Sequence, residues 1–535
     1  MFMKICLINP ITIYYSMIKD DFVSDSQNTL PYLGLGYLAS VLEEAGHEVD
    51  IIECTRERLW GDALVEKIKN KRYSMIGLSV FDYNYKNAVK IITAIEKENL
   101  DTFVLVGGMY ATTNFGDVLK DNTRIDCCVL TEGEITVKEL ATKLDSKEKI
   151  ENVKGIAYLN QNEVVVTPPR ELIADLDEIP FPKRQFINLG GKIQIKTSRG
   201  CEKACLFCAT SAVNRACIGD PLRFRSPQNI VTEILACISA YSKVKRIFFI
   251  DDSFLSVMPN HEKWLLELCR LLKENHIDIP FDIYARAKGV IKYEGLLDEL
   301  KECGMSSVFI GIESFLDEQL KFYNKQTTRD ENISALNILK KHGIACDIGF
   351  IPLDPTVSLE QVIDNYIELK NSATIDIAEN FKVFSMHRAV IALNGTPLKR
   401  MLVKRNKYVE NEQGYLFDDK RVERLFAFTK LWSWKIRAVL SKAYLTEWLR
   451  QNDKIELFHE TVKANRDFMR LDVDFMIRAC HLLKEESTTD DELASIINQY
   501  LPRVDLIRER YEKIEERAGS RQSGTEANGI SRVSI

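Results

Sequence analysis

Three cysteines stand within eight positions of one another, in the stretch RGCEKACLFC that ends at Cys208. Cys201 follows the apolar run IQIKT (193–197), so the pattern predicts a tight loop at the end of a buried strand, where Cys201, Cys205 and Cys208 converge on one centre. Structural zinc sites have four ligands, and Cys217, the nearest further candidate, lies nine residues beyond Cys208. Iron–sulfur cubanes are usually held by four thiolates, so three would leave one iron open. The triplet therefore predicts a metal centre rather than three thiols that pack in a loop.

Charged residues follow three other apolar runs, RIFFI (246–250), FDIYA (281–285) and SVFIGI (307–312). Because each comes directly after a predicted buried strand, each either points into a barrel mouth or is solvated in a surface loop. As a set they are better candidates for ligand binding than any one is alone. These residues are Asp251 and Asp252, Arg286, and Glu313 with Ser314.

The elements that position these residues are six predicted βα units. The first four predicted strands are the runs named above. CDIGFI (346–351) and FKVFS (381–385) are the fifth and sixth, and helical segments separate the six strands. One helix is predicted to open at Ser226-Pro227, an N-cap followed by proline at the first helical position. Six such units indicate an open, partial version of the eightfold barrel, with active residues at the carboxyl ends of its strands.

The first part of the chain predicts a doubly wound, Rossmann-like α/β domain, because five apolar runs alternate with amphipathic segments. The runs are KICLI (4–8), VDIIE (49–53), MIGLS (75–79), FVLVG (103–107) and CCVL (127–130). From about residue 416 the pattern is helical. The predicted boundaries are 1–148 for the Rossmann-like domain, 149–190 for a hairpin and linker, 191–400 for the partial barrel, 401–515 for a helical C-terminal region and 516–535 for a disordered tail.

The segment CEKACLFC resembles the signature of the radical S-adenosylmethionine (SAM) superfamily, C-x-x-x-C-x-aromatic-C. The resemblance implies that Cys201, Cys205 and Cys208 bind a 4Fe–4S cluster, that SAM chelates the open iron, and that Phe207 packs beside the adenine. FIDDSF, YARA and GIES are similar to segments that hold SAM in that family. The residues these segments contribute to SAM binding are Asp251, Asp252, Arg286, Glu313 and Ser314.

The order PYLGLGYLASVLEEAGHEVDIIE, IGLSVF, LVGGMYAT and TEGE resembles the cobalamin-binding domain that precedes the barrel in one large class of that superfamily. The resemblance runs from about residue 3 to 400. It implies that small residues at strand ends, together with the loop after the fifth strand, line the site of the cobalamin nucleotide tail. These residues are Ser79, Gly107, Gly108, Glu132, Gly133 and Glu134.

One departure from the family bears on mechanism. Many cobalamin domains supply a histidine to cobalt through D-x-H-x-x-G after the first strand, whereas this loop reads NPITIYYSM and holds no histidine. His47 lies at the entrance to the second strand and is interpreted as an ordinary loop residue. Cobalt is therefore expected to carry no protein nitrogen on its lower face, with Phe81, Asp82 and Tyr83 as its neighbours. A cobalt without an axial donor is more readily reduced to the nucleophilic Co(I) state.

The resemblance implies an enzyme that methylates an unactivated carbon, or phosphorus, through methylcobalamin and a 5′-deoxyadenosyl radical. A second possibility keeps both cofactors but catalyses a ring contraction, cyclisation or rearrangement. A third possibility is methylthio transfer to RNA or protein. That reaction would require a further cysteine-bearing domain with a second cluster and a basic C-terminal module, and the sequence shows neither. A non-catalytic cobalamin sensor would have no use for the cysteine triplet.

The composition limits the kinds of partner that the protein is expected to bind. The net charge of −6 and the pI of about 5.9 give no excess of positive charge with which to bind a nucleic-acid backbone. No run of eighteen apolar residues predicts a membrane span. The thirteen cysteines are mostly scattered through apolar runs, which indicates reduced thiols in a cytoplasmic protein. The expected partners are a small-molecule or peptide substrate and an electron donor such as flavodoxin or ferredoxin.

Overall fold

The computed structural model of the protein describes residues 2–12, 30–186, 191–241, 243–380, 386–411 and 413–519. The chain divides into two compact units. The first comprises Met1–Gly311, Asp317–Ala335 and Val390–Leu416, and the second comprises Ile312–Leu316, Leu336–Ala389 and Phe417–Ile535. The first unit therefore contains both the predicted Rossmann-like domain and the predicted cysteine loop.

A seven-stranded sheet forms the N-terminal part of the first unit, in the order β2-β1-β3-β4-β5-β6-β7. Strands β1 to β5 are parallel to one another, β6 pairs with β5 in the antiparallel direction, and β6 and β7 form an antiparallel hairpin. The strands are β1 (Lys4–Asn9), β2 (Glu48–Glu53), β3 (Met75–Ser79), β4 (Phe103–Gly107), β5 (Cys127–Val129), β6 (Ile156–Asn160) and β7 (Glu163–Val166). The helices are α1 (Leu33–Glu44), α2 (Cys54–Glu57), α3 (Gly61–Lys71), α4 (Tyr85–Lys97), α5 (Met109–Asp121) and α6 (Glu134–Asp145). The predicted doubly wound domain is confirmed.

The five parallel strands of this sheet are buried on both faces, which explains why they read as continuous apolar runs rather than as alternating patterns. Gly36 in α1 marks a close approach of the chain that follows the hairpin, because an added Cβ would lie 2.6 Å from the carbonyl oxygen of Lys183. The predicted linker is thus packed rather than free: Leu176 and Ile179 are buried against Leu33 and Tyr37 of α1.

A second sheet contains the strands β8 (Lys192–Ile195), β11 (Arg246–Phe249), β12 (Phe281–Ala285) and β13 (Met305–Glu313), and these strands belong to the first unit as far as Gly311. They are parallel, in the order β13-β12-β11-β8, and the sheet is not closed. A short antiparallel pair, β9 (Ser198–Arg199) with β10 (Arg223–Phe224), flanks the cysteine loop. The partial barrel is confirmed to this extent, and the predicted strand at 381–385 lies outside the described residues.

Helices alternate with these strands. They are α7 (Ala209–Asn214), α8 (Pro227–Ala240), α9 (His261–Glu274), α10 (Ala287–Lys292), α11 (Leu297–Glu302), α12 (Asp317–Phe322) and α13 (Arg329–Lys341). The predicted opening of α8 is confirmed, because the Ser226 hydroxyl accepts the Asn229 N–H at 3.1 Å and Pro227 occupies the first helical position.

The second unit contains β14 (Ala345–Phe350) and is otherwise helical. Its helices are α14 (Leu359–Asn371), α15 (Thr374–Ile377), α17 (Lys420–Lys435), α18 (Arg437–Leu440), α19 (Leu445–Gln451), α20 (Ile455–Leu482) and α21 (Asp490–Ala518), while α16 (Pro397–Lys404) belongs to the first unit. The predicted helical region is confirmed. The last helix continues to Ala518, past the predicted start of the tail, because Arg517 pairs with Glu460 at 2.6 Å and Ala518 is buried.

No helix within the described ranges is both long enough and apolar enough to cross a lipid bilayer.

Candidate cofactor site

A cavity of about 720 Å³ opens in the first unit, where the carboxyl ends of β1, β3, β4 and β5 face the residues that follow β8 and β11. Its wall includes residues from both predicted domains, among them Arg199, Gly200 and Asp252 from the cysteine side. The predicted cobalamin-side residues also line it: Ser79, Phe81, Tyr83, Gly107, Gly108, Glu132, Gly133 and Glu134. The tertiary structure therefore brings these sequence candidates together around one space.

Small residues are required at the end of β4. Gly108 has φ of +101°, and an added Cβ would lie 2.7 Å from the carbonyl oxygen of Val80 and 3.4 Å from the hydroxyl of Ser79. A side chain at Gly108 would both strain the backbone and displace the neighbouring strand end. The backbone can therefore form the cavity wall directly at this point.

Aromatic rings form another part of the wall. The ring of Phe81 stacks on that of Tyr83 with centroids 5.2 Å apart and planes 5° apart, and it meets Tyr32 edge-on at 5.6 Å. Asn84 holds this loop, because its Oδ1 accepts the Phe81 N–H at 2.7 Å and its Nδ2 donates to the carbonyl of Ser79 at 3.1 Å. These rings present a flat apolar surface to the cavity.

Two polar residues of the wall were missed by sequence reasoning. The Asn9 amide donates to Glu53 at 2.8 Å, and the Tyr32 N–H donates to the other carboxylate oxygen at 2.8 Å. Burial raises the pKa of Glu53 above its ordinary value despite these bonds. Their only sequence signal was a polar residue at the carboxyl end of a buried strand, β1 for Asn9 and β2 for Glu53.

An ion-pair network joins the end of β5 to the strand end before the cysteines. Arg223 forms bonds of 2.8 and 3.0 Å to the two oxygens of Glu132, and Arg199 donates to Glu132 at 3.2 Å and to Glu134 at 2.6 Å. Burial alone would raise the pKa of Glu132, but the hydrogen bond from Arg223 and the charge of Arg199 outweigh it and hold the pKa below its ordinary value. The two carboxylates thus bind chain residues as well as lining the cavity.

Glu134 retains one unused acceptor. Its Oε2 is buried and has no hydrogen-bond partner among the described residues, although its Oε1 is bound by Arg199. A buried acceptor without a donor is unfavourable by about 1–3 kcal/mol. A ligand with amide N–H groups, as cobalamin has, would satisfy it. The chemistry of the cavity wall therefore fits that cofactor.

The cysteine loop begins at a position that only glycine can occupy. Gly200 has φ of +82°, and an added Cβ would lie 1.7 Å from the carbonyl oxygen of Pro221. Farther along the loop, the Leu206 N–H donates to the carbonyl of Tyr323 at 2.8 Å, and the Asn214 amide donates to the carbonyl of Cys201 at 3.0 Å. The loop is thus fixed through its backbone, which leaves the thiols available.

The three thiols are free and at least partly buried. Burial raises the pKa of Cys201 to about 11 and also raises the pKa of Cys208. Arg286, predicted as a SAM contact, has its Nη1 3.7 Å from the sulfur of Cys205. The donor set fits an iron–sulfur cluster in residue type and in sequence spacing, because each of the three thiolates would bind a different iron of the cluster.

The predicted SAM contacts differ in their surroundings. Asp251 is buried and accepts four hydrogen bonds of 2.5–2.9 Å, from the N–H and hydroxyl of both Thr197 and Ser198. Its carboxylate therefore ties the end of β11 to the end of β8. Asp252 is exposed on the cavity wall, and Thr210 donates to it at 3.0 Å. Of the two aspartates, Asp252 is the one open to a ligand.

Phe207, Glu313 and Ser314 complete the predicted set. The ring of Phe207 meets Tyr323 edge-on, with centroids 5.4 Å apart. Glu313 and Ser314 belong to the second compact unit, where the Ile351 N–H donates to the carbonyl of Glu313 at 2.7 Å. Their roles toward SAM stay predictions.

His47 is not among the described residues that line the cavity. Its Nδ1 accepts the Met3 N–H at 3.4 Å, which fits its interpretation as a loop residue. The loop that follows β1 is described only to Thr12, and its continuation over 13–29 lies outside the described residues.

Two family models match the sequence: the B12 binding domain over residues 20–141 and the Radical SAM superfamily over residues 195–366. The chain is a cobalamin-binding radical SAM enzyme. The two matched domains correspond to the two sides of the cavity, and the cofactors of this enzyme are cobalamin, SAM and a 4Fe–4S cluster.

Relatives of this radical SAM enzyme extend the match. An uncharacterized methyltransferase of Pyrococcus horikoshii is 28% identical over 431 residues, which cover 79% of this chain and 88% of that protein. The anaerobic magnesium-protoporphyrin IX monomethyl ester cyclase of Rubrivivax gelatinosus is 27% identical over 334 residues, covering 60% of this chain and 58% of that protein. A solved structure of the cobalamin-dependent S-adenosylmethionine radical enzyme OxsB, with aqua-cobalamin and S-adenosylmethionine bound, matches with a TM-score of 0.70 at 20% identity, covering 98% of this chain and 82% of that chain. That likeness shows the shared fold.

Proposed function

We propose that this enzyme is a methyltransferase that acts on an unactivated carbon, or phosphorus, of a small molecule or peptide. The observation that carries the proposal is the shared cavity. Its wall combines the strand ends of the B12-binding domain with Arg199, Gly200 and Asp252 beside the cysteine loop, so a cobalamin bound there lies next to the SAM side. Direct transfer between two cofactors needs such proximity.

The chain's own residues divide between the cofactors. The residues between Ser79 and Glu134 that line the cavity would hold cobalamin. The unpaired Oε2 of Glu134 would accept a hydrogen bond from one of its amide N–H groups. Cys201, Cys205 and Cys208 hold the cluster. When bound, the cluster supplies the electron that cleaves SAM, and cobalamin supplies a carrier for the methyl group.

SAM is held by residues that follow the barrel strands. Asp252 accepts hydrogen bonds from ribose hydroxyls, and Phe207 packs beside the adenine. Arg286 binds the SAM carboxylate, because its guanidinium lies 3.7 Å from the Cys205 sulfur and so beside the expected cluster. Asp251 accepts four hydrogen bonds from Thr197 and Ser198, and it thereby holds the end of β11 against the end of β8.

Phe81 and Tyr83 would form the apolar part of the wall against a bound cobalamin, and no histidine of the described cavity wall would offer a nitrogen to its metal. Both rings line the cavity and stack on each other. These rings would keep water away from that side of the cofactor, and a cofactor shielded in this way would be more readily reduced. The electron donor is a flavodoxin or ferredoxin, and the enzyme works in the reducing cytoplasm.

A radical rearrangement is the second candidate, because one relative is named as a cyclase rather than a methyltransferase. Anaerobic incubation with SAM, reductant and cobalamin separates the candidates. S-adenosylhomocysteine formed together with 5′-deoxyadenosine supports methylation, whereas 5′-deoxyadenosine without S-adenosylhomocysteine supports rearrangement. Cobalamin binding without any SAM cleavage would contradict both and leave a cobalamin sensor.

A further inference from the structure

Residues 390–416, which we call the bridging segment, belong to the first unit although most of that unit comes earlier in the chain. The segment is tied to itself at its ends: the Tyr415 hydroxyl donates to the carbonyl of Val390 at 2.6 Å, and the Ala392 N–H donates to the carbonyl of Gln413 at 2.9 Å. Between these ties the described residues of the segment contact the Phe81–Tyr83 loop, helix α5 and the cysteine loop.

The first contact is with the loop that carries the aromatic wall. One oxygen of Asp82 accepts the Asn394 N–H at 3.0 Å and the Asn394 side-chain amide at 2.8 Å. Lys399 donates to the amide oxygen of Asn394 at 2.5 Å, which fixes the orientation of that amide. Asp82 stands between Phe81 and Tyr83, so this pair of bonds anchors both rings.

The second contact is with α5, the helix that follows Gly108. Gly395 has φ of +71°, and an added Cβ would lie 2.4 Å from the Cβ of Thr113. The bridging segment therefore lies directly against α5, and no other residue type fits at Gly395 without moving one of the two.

The third contact is with the cysteine loop. The Leu398 N–H donates to the carbonyl of Leu206 at 3.0 Å, and Leu206 lies between Cys205 and Phe207. The Leu398 N–H is available for this bond because Leu398 lies in the first turn of α16, which Thr396 caps. The first N–H groups of a helix have no acceptor within the helix, and this one donates to the cysteine loop instead.

We propose that Asn394, Gly395 and Leu398 are positioning residues that hold the aromatic wall and the cysteine loop in fixed register. Residues 394–398 contact both the loop that carries Phe81 and the cysteine loop. The distance between these two loops is therefore fixed by the capped start of helix α16 rather than by a flexible stretch of chain. The proposal rests on the proposed function, in which both cofactors act on one substrate. Loosening the segment should uncouple SAM cleavage from methyl transfer without removing either cofactor.

Asn394→Ala tests the first contact. In the cofactor-free protein, hydrogen exchange should become about tenfold faster at the amides of residues 80–85, since the side-chain bond to the Asp82 carboxylate is lost and only the backbone bond remains. In the loaded enzyme, the ratio of 5′-deoxyadenosine to methylated product should rise several-fold, while cobalamin affinity and iron content stay unchanged. Asn411→Ala is the matched control, because the described bonds of that amide stay inside the segment.

A double exchange, Asp82→Asn with Asn394→Asp, provides the rescue. The new amide at 82 accepts the backbone N–H of residue 394 and donates to the new carboxylate, so the backbone bond is kept and the side-chain bond is restored in the opposite direction. Exchange rates and the product ratio should return toward those of the native protein. The proposal is overturned if Asn394→Ala behaves like Asn411→Ala, or if the double exchange fails to rescue it. Absence of methylated product in the native protein would contradict the proposed function instead, and the exchange rates would still decide the bridging role.

Discussion

The cobalamin-side wall and the cysteine loop both lie at the carboxyl ends of parallel strands in the same unit, yet they are prepared to different degrees. The wall already encloses a cavity of about 720 Å³, with the Phe81 loop fixed by Asn84 and the Glu132 carboxylate paired with arginines. The cysteine loop also has a fixed backbone, but burial raises the pKa of Cys201 to about 11 and also raises the pKa of Cys208, which keeps these thiols protonated.

The difference follows from the ligands. A large organic cofactor is recognised by shape and by hydrogen bonds, which protein packing alone can provide in advance. A cluster is bound by thiolates, and deprotonating buried thiols is unfavourable until the metal supplies its charge. Variants that damage one side should therefore spare the other.

The largest expected effect is on the cysteine side. Replacing Cys201, Cys205 and Cys208 together with alanine should abolish the iron–sulfur absorbance and SAM cleavage, because no thiolates remain for the cluster. Cobalamin should still bind, as measured by titration of its visible spectrum. Cys217→Ala is the control and should retain its iron. A triple variant that assembles a full cluster would mean that other cysteines are the ligands.

On the cobalamin side, Gly108→Ala should weaken cobalamin binding by at least about tenfold and lower the free energy of unfolding by about 1–3 kcal/mol. The cause is a φ of +101° combined with a 2.7 Å approach to the carbonyl oxygen of Val80. Gly116→Ala is the matched control: it lies in α5, where an added Cβ meets nothing within 4 Å. That control should keep its affinity and be as stable as the native protein or more so. Equal affinity in both variants would show that the end of β4 does not form the binding wall.

The lower face of cobalt provides a smaller, spectroscopic effect. The Co(II) electron paramagnetic resonance spectrum should lack the threefold splitting that an axial nitrogen causes, and His47→Ala should leave it unaltered. Phe81→Ala or Tyr83→Ala should admit water, change that spectrum and slow methyl transfer with the cluster intact. Nitrogen splitting that disappears in His47→Ala would overturn the assignment.

The smallest expected effect concerns the network that joins the two sides. Glu132→Gln should lower the free energy of unfolding at neutral pH by about 1–3 kcal/mol, because two arginines lose a charged acceptor. Since the pKa of native Glu132 lies below its ordinary value, its contribution is present above the unfolded pKa of about 4.5 and is lost as the pH falls through the native pKa. The difference between variant and native protein, measured by urea unfolding, should therefore shrink in acid.

Glu151→Gln is the control for the network. Its pairing with Lys149 is exposed and long, at 3.8 Å, so the change should be below about 0.5 kcal/mol at any pH. A Glu132 effect of the same size would mean that the network contributes nothing beyond a surface pair.

Much of the fold was predictable because the signals are local. Each strand of the first sheet lies within about a residue of its apolar run, since parallel strands covered on both faces must be apolar throughout. The capped start of α8 at Ser226 and the spacing of the cysteine triplet are equally local. The grouping of the candidate residues from Ser79 to Glu134 around one cavity was predictable because the carboxyl ends of parallel strands share one edge of a sheet.

The sequence by itself determined the strand and helix pattern, the cysteine donor set and the small residues at the end of β4. Only the tertiary structure decided which groups those residues meet. Glu132 and Glu134 accept hydrogen bonds from Arg199, and Asp251 accepts hydrogen bonds from the residues at the end of β8. Asp82 accepts hydrogen bonds from Asn394, which lies 312 positions away in the chain. Periodicity reports whether a residue is buried, but a hydrogen bond also depends on which distant segment passes beside it. That pairing exists only once the chain has folded.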